Sequence, residues 1–400
     1  MGYINTTFAH GNGPFSRCTE WAIAVNDVRE EKGLLERLPV VVPLVYPGKQ
    51  QRITREEVEE NVSGDFFEKH PDEIWLDRGQ GELLEDLMFK GNDYGENLRV
   101  LAKDYWGVED EMHKHLDGKR KLENFVSGEV EEFDLRDCEL QLGLNNRMQT
   151  ILPNQFYTAG GAGPFDEVLV RAIKEHGITL DKEAMRKVLP VAERMIQGQK
   201  IIFSNEPGVF SYDDSRVSRS NEISTPPFVH TPQPDNTELP EEGVYFLATG
   251  IDGVRESGIY SMLDDWGMKV YAPGFSIKGL PDGVKDKAIA LNPSQINNPK
   301  IVAVYARAGW SSVWLSHLAE KGFITPPYQQ NDDPEMLFNE RGIERLSLGV
   351  VMRGDARGSL EGAVGLSKSV EEYNAGLIEK YGTLEGIRYA AEVVVGSMGE

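Results

Sequence analysis

The sequence predicts an α/β protein with two open, mostly parallel sheets, and three observations carry that prediction. The first is an N-terminal run of strand (residues 3–9), glycine turn (His10-Gly11-Asn12-Gly13-Pro14), helix and second strand (38–45). That second strand has no polar alternation, so it reads as buried on both faces, as in a parallel sheet covered by helices. The second observation is the break Thr225-Pro226-Pro227-Phe228-Val229-His230-Thr231-Pro232-Gln233-Pro234. Its prolines forbid a central strand or a helix, so it is expected to be an extended linker. The third is that the pattern then restarts, with a strand at 244–249, the turn Gly250-Ile251-Asp252-Gly253 and a helix through Ile259 and Leu263.

Each element follows from its own residues. The first helix keeps Trp21, Ile23, Ala24 and Val28 to one side. Residues 50–150 are rich in Glu, Asp and Lys with few glycines, and are expected to be a helical acidic insertion. The first sheet resumes at 200–205, and further strands are expected at 268–272, 288–291 and 301–305. The expected organisation is a first domain over 1–230, a second over 240–365 and a helical tail over 366–400 that can pack back on the first. Gly161 to Phe165 echoes Gly11 to Phe15, but five residues are too few for a repeat.

Composition narrows the partners. Lys and Arg total 42 against 65 Asp and Glu, a net charge of −23 over 400 residues. Such a surface repels phosphate backbones and anionic lipid, so no nucleic acid partner is expected. A phosphate-bearing ligand must then be caught locally. No run of 18 apolar residues exists, so no transmembrane helix is expected. Gly2 formally fits a myristoylation pattern but leads straight into a β-like segment, and no secretory leader is expected. Cys18 and Cys138 are too few for a disulfide framework or a four-cysteine zinc site, which points to a reducing, cytoplasmic setting where the sequon at Asn61 is silent.

The strongest chemical signal is the apolar strand 301–306 followed by Arg307-Ala308-Gly309-Trp310-Ser311-Ser312. A tight turn is expected at Ala308-Gly309, with Ser311 or Ser312 capping the next helix. A helix start offers unpaired amides and the positive end of a dipole, which suits a diphosphate, and Arg307 adds charge-assisted bonds. Downstream, a short apolar strand delivers a polar loop with Gln330, Asp332, Asp333 and Glu335, acceptors for sugar hydroxyls. On its own, the loop reads better as an acidic solvated surface with Asp332 or Asp333 as a helix cap. Asn339 follows on the helix.

Taken together, Arg307 to Ser312, Pro326-Pro327, Asp332-Asp333 and Asn339 resemble the nucleotide-sugar half of GT-B glycosyltransferases, in the style of the UDP-glycosyltransferase superfamily and the peptidoglycan GlcNAc transferase. The resemblance covers about residues 244–350 and extends to the N-terminal glycine loop. It implies two Rossmann-like domains facing across a cleft and transfer of a sugar from a nucleotide-diphosphate donor, a UDP-sugar by preference. The nucleotide-sugar is then a substrate, with no cofactor and no metal. The acceptor is a sugar, a lipid-linked molecule or another small molecule. The family's ribose-holding Glu is replaced by Leu315, and its Asp-Gln pair by Asp332-Asp333. No Glu-x7-Glu pattern occurs, which favours inversion.

By the same resemblance Gly11, Asn12, Gly13 and Arg17 form the acceptor-side loop, with Pro14 in the family's His place and His10 four residues earlier. An imidazole suits the removal of a hydroxyl proton, so His10 is the candidate base. Thr249, Gly250 and Gly253 are expected to face the donor phosphates, while Asp252 caps the next helix. His113 and His115 are expected to be solvated, His317 and Trp314 to be packing residues, and Trp310 to line the cleft. Two other readings stay open: a nucleotide-sugar 2-epimerase and a non-catalytic nucleotide-sugar-binding subunit.

Overall fold

The computed structural model describes residues 2–6, 12–34, 36–43, 66–85, 87, 93–144, 156–160, 163–176, 182–247, 267–277, 285–329 and 332–398. Among them the chain builds two sheets. The first contains β1 (Tyr3–Thr6), β2 (Val40–Pro43), β3 (Ile74–Asp77), β4 (Lys119–Asn124), β5 (Val130–Asp134), β6 (Cys138–Gly143), β7 (Phe156–Ala159), β8 (Gln199–Asn205) and β9 (Glu222–Thr225). Their order is β5-β4-β3-β2-β1-β6-β7-β8-β9, antiparallel only where β4 meets β3 and β5. The second contains β10 (Gly243–Leu247), β11 (Lys269–Ala272), β12 (Ala288–Ala290), β13 (Ile301–Ala306), β14 (Gly322–Thr325) and β15 (Gly349–Val351), parallel throughout in the order β12-β11-β10-β13-β14-β15.

In both sheets the strand order reverses at the first strand, β1 beside β6 and β10 beside β13. Such a reversal splays the connecting helices to opposite faces and opens a crevice at the carboxyl ends of the strands. The helices that matter below are α1 (Asn12–Glu31), α2 (Arg78–Glu85), α3 (Tyr94–Leu116), α4 (Trp310–Leu318), α5 (Pro334–Arg345), α6 (Ser367–Tyr381) and α7 (Gly386–Ser397).

The acidic stretch 50–150 carries the 23-residue α3, as its composition suggests. It also supplies β3 to β6, so it is not only helical. β3 is just Ile-Trp-Leu-Asp, too short to show a period, and β4 and β5 turn charged side chains to solvent. Charges on an outer hairpin also guard the sheet against edge pairing.

Residues 226–242 form neither helix nor strand. They are held by Asn298 of the second half, whose Nδ2 donates to Asp235 Oδ2 and to the Thr237 carbonyl, both at 2.8 Å. One apolar cluster joins Ile4 and Trp21 to Tyr245 and Trp314 and on to Ile387 and Val394. Through it α7 lies against α1, with Ser397 Oγ 2.8 Å from Tyr157 Oη and the Arg388 Nη1 2.8 Å from Glu31. Among the described residues no helix is long and apolar enough to cross a membrane.

Candidate functional site

β13 is an apolar strand of the kind that buries both faces, and it ends beside β10 at the reversal of the second sheet. The next residue, Arg307, therefore emerges into the crevice. The Gly309 N–H donates to the Arg307 carbonyl at 2.7 Å, closing the turn. Gly309 is the N-cap of α4, with extended backbone at φ −78° and ψ 137° and no side-chain cap. Its carbonyl accepts from the amides of Ser312 (3.0 Å) and Val313 (3.1 Å). The amides of Trp310 and Ser311, the first two of the helix, have no partner among the described residues.

This corrects the capping expectation. The helix starts at Trp310, so Ser311 and Ser312 already lie inside its first turn and neither hydroxyl caps it. Ser311 is exposed and Ser312 half-buried. The indole of Trp310 is also not in the cleft: it is 4% exposed and stacked on Trp314, with ring centroids 6.3 Å apart. What Trp310 offers a ligand is its backbone amide. Gly309 is not required by its backbone angles, which any residue adopts, and a Cβ there would meet nothing within 4 Å. Among the described residues, nothing fills the space above the turn.

Asp332 of the acidic loop holds this turn. Arg307 Nη2 pairs with Asp332 Oδ1, while Arg307 Nε is buried with no partner among the described residues. Burial pushes the Asp332 carboxyl above its ordinary value, opposed by the Arg307 charge and by the Asp333 N–H, which donates to it at 2.7 Å. Asp333 is the N-cap of α5, accepting from the Glu335 N–H at 3.0 Å. Glu335 accepts from Asn339 Nδ2 at 3.3 Å.

Asn339 is fully buried, and its Nδ2 donates to the Ala308 carbonyl at 2.6 Å. It fixes the turn from beneath, a role its place in the family-like pattern hinted at but did not specify. Glu340 beside it went unmarked in the sequence. Burial pushes its carboxyl up to about 7, against the backbone bond it accepts from Tyr328.

The remaining expectations divide. His10, Gly11, Thr249, Gly250, Gly253 and Gln330 lie outside the described residues. Asn12 and Gly13 are the first residues of α1. Arg17, on the same helix, gives its guanidinium to Glu20, whose carboxylate also faces His230 Nε2 at 3.6 Å. Leu315 packs half-buried against the core. His317 is buried, with Nδ1 bonded to Asn374 Oδ1 at 2.7 Å, and burial drives its pKa down to about 4. His113 is exposed, but His115 is not simply solvated: it meets Asp77 at 2.8 Å. Among the described residues no three ligating side chains gather as a metal site.

Whole-chain comparison with solved structures matches this arrangement end to end. A UDP-glucosyltransferase from Polygonum tinctorium capable of glucosylating indoxyl aligns over 100% of this chain and 99% of its own, with a TM-score of 0.57 and 12% identity. Arabidopsis thaliana UGT89C1, solved with UDP, aligns over 100% of both chains with a TM-score of 0.57 and 10% identity. The fold is GT-B. The glycosyltransferase SnogD from Streptomyces nogalater aligns over 99% of this chain and 98% of its own, at a TM-score of 0.51 and 9% identity. At such identities the GT-B likeness is one of fold. No protein-family model matches the sequence, and no curated protein matches it.

Proposed function

We propose that this GT-B protein is a glycosyltransferase that moves a sugar from a nucleotide-diphosphate donor, a UDP-sugar, to a hydroxyl acceptor with inversion. The observation that carries this reading is the Arg307 turn. An arginine held on one side by Asp332 and two amides, those of Trp310 and Ser311, that have no partner among the described residues meet at the reversal of the second sheet. That set matches a diphosphate in charge and in donor geometry. Solved proteins of the same fold include one complexed with UDP, which supports uridine as the nucleoside.

In this reading the donor occupies the second domain (240–365), with Gln330, Asp332, Asp333 and Glu335 toward the sugar and Thr249, Gly250 and Gly253 across the phosphates. The acceptor occupies the first domain (1–230), shaped by Gly11, Asn12, Gly13 and Arg17. His10 takes the acceptor hydroxyl proton as the oxygen attacks the anomeric carbon. The bond from that carbon to the diphosphate breaks, and Arg307 with the helix terminus stabilises the departing charge, so the positive charge needed comes from the chain itself. The free cysteines Cys18 and Cys138 agree with a reducing, cytoplasmic setting.

The test is UDP release from UDP-glucose, UDP-galactose and UDP-GlcNAc with a mixed panel of hydroxyl acceptors, on wild type, His10→Ala and Arg307→Ala. Acceptor-dependent release lost in both variants is the expected result. Conversion of UDP-GlcNAc without an acceptor would replace transfer by 2-epimerisation. Binding without any turnover would make this a donor-binding subunit.

A further inference from the structure

The carboxyl edge of the first sheet carries a second constellation, separate from the donor turn. Asp77 ends β3 with its side chain 2% exposed. The Gln80 N–H of α2 donates to Asp77 Oδ1 at 2.9 Å, and the Gln80 and Asn5 side chains exchange two hydrogen bonds, Gln80 Nε2 to Asn5 Oδ1 at 3.2 Å and Asn5 Nδ2 to Gln80 Oε1 at 3.3 Å. His115, in the last turn of α3, places Nε2 2.8 and 3.0 Å from the two Asp77 oxygens. A carboxylate can only accept, so Nε2 carries a proton and the ring is aimed with Nδ1 away from Asp77. The donor that reaches Nδ1 is Arg120 Nε, at 3.5 Å, the outer limit of a hydrogen bond. Gly79 makes the approach possible, since a Cβ there would stand 2.6 Å from His115 Cε1.

This pair opens on a cavity of about 290 Å³ between β3, β4 and the start of β5, with Arg78, Arg120, Lys121 and Glu123 along its polar side. Arg78 and Glu123 pair at 2.9 Å and cancel. Arg120 donates to the carbonyls of Lys119 (2.8 Å) and Lys114 (3.3 Å). Among the described residues neither Arg120 nor Lys121 has a carboxylate within ion-pair reach. Two cations with no ion-pair partner among the described residues, at one cavity, stand out in a chain of net charge −23.

A purely structural pair looks different. At the amino end of β3, His70 meets Glu73 at 2.8 Å, and the same carboxylate takes Arg37 at 3.0 Å and Asn26 Nδ2 at 3.2 Å. There the charges are answered within the protein. At Asp77 and His115, the ring nitrogen Nδ1 is met only by the long 3.5 Å contact of Arg120, and Arg120 and Lys121 line a cavity with no carboxylate in ion-pair reach among the described residues. Its volume sits at the lower end of the roughly 300–1,000 Å³ usual for small-molecule sites, which suits one sugar-sized ligand and not a nucleotide.

We propose that this cavity binds a small polyhydroxylated anion: one hydroxyl hydrogen-bonds to Nδ1 of His115 in place of Arg120 Nε, and the anionic head pairs with Arg120 and Lys121. The site is distinct from the Arg307 turn and does not depend on glycosyl transfer. Calorimetric titration of the full chain with D-gluconate tests it. Sorbitol serves as the hydroxyl-only control, acetate as the anion-only control, and glucose 6-phosphate separates a carboxylate from a phosphate head. The expected result is saturable binding of gluconate or glucose 6-phosphate and none of sorbitol or acetate. His115→Asn and Lys121→Gln should each weaken it by at least about tenfold, with UDP binding unchanged. Lys121 is exposed, so its variant keeps the fold even if His115→Asn does not. Absence of saturable binding to both hydroxylated anions, or affinity retained in Lys121→Gln, overturns the proposal.

Discussion

The two sheets share a plan and differ in how their edges are filled. In the second, the reversal between β10 and β13 delivers Arg307, paired with Asp332 but with Nε unanswered among the described residues, and two helix amides that no described residue accepts from, with Asn339 bracing the turn from below. In the first, β1 holds the same central place, yet the cation on the following helix, Arg17, is already given to Glu20. Equivalent topology marks where a ligand can sit; the donors left unanswered decide which ligand it is.

The largest expected effect contrasts the two arginines. Arg307→Ala should weaken UDP binding on the order of 10- to 100-fold, the worth of a hydrogen bond to a charged group, as read by calorimetry. Arg17→Ala should change it by less than about threefold, because Arg17 lies on α1 of the first half and not at the turn of the second. Equal losses would erase the distinction between the halves.

The next effect is on stability against pH, and it belongs to the second half. His317 stays neutral when folded, with a pKa of about 4 against 6.5. As pH falls the unfolded chain takes the proton first, so its contribution is complete above 6.5 and declines toward 4, by up to about 3 kcal/mol. Glu340, raised from 4.5 to about 7, runs the other way: its contribution is complete below 4.5 and declines as pH rises through 7. Denaturant unfolding across that range should show the acid-side decline flattened in His317→Gln and the decline toward neutrality flattened in Glu340→Gln. Unchanged slopes would mean that neither group is held as described.

Asn339→Leu should cost roughly 1–3 kcal/mol of unfolding free energy, since it strands the buried Ala308 carbonyl, and should loosen UDP binding as well. A neutral result would remove Asn339 as the brace of the turn. The smallest effect is the most discriminating. Gly309→Ala has room for its Cβ and suitable backbone angles, so stability should shift by no more than about 1 kcal/mol while UDP affinity falls. Affinity retained in Gly309→Ala would mean that nothing approaches the turn.

What the sequence makes legible follows the range of the interactions. The Arg307 turn is local: an apolar strand, a glycine and a helix start within twelve residues, and the structure assembles them in that order. The helix start itself was misplaced, because two serines after a tryptophan carry no sign of which residue is the cap. Trp310 and Trp314 lie one helical turn apart, a spacing that reads the same whether the first ring faces the cleft or the core. The strands β3 to β5 were hidden by brevity and by charged side chains. Pairs distant in sequence left no local trace: Asn339 with Ala308, 31 residues apart, and His115 with Asp77, 38 apart.

The most direct test of the central claim is a crystal structure of the protein soaked with UDP. The diphosphate should lie at the reversal of the second sheet, about 3 Å from the amides of Trp310 and Ser311 and from the guanidinium of Arg307. UDP bound elsewhere, or a soaked crystal with that turn empty while the nucleotide occupies the first sheet, would contradict it.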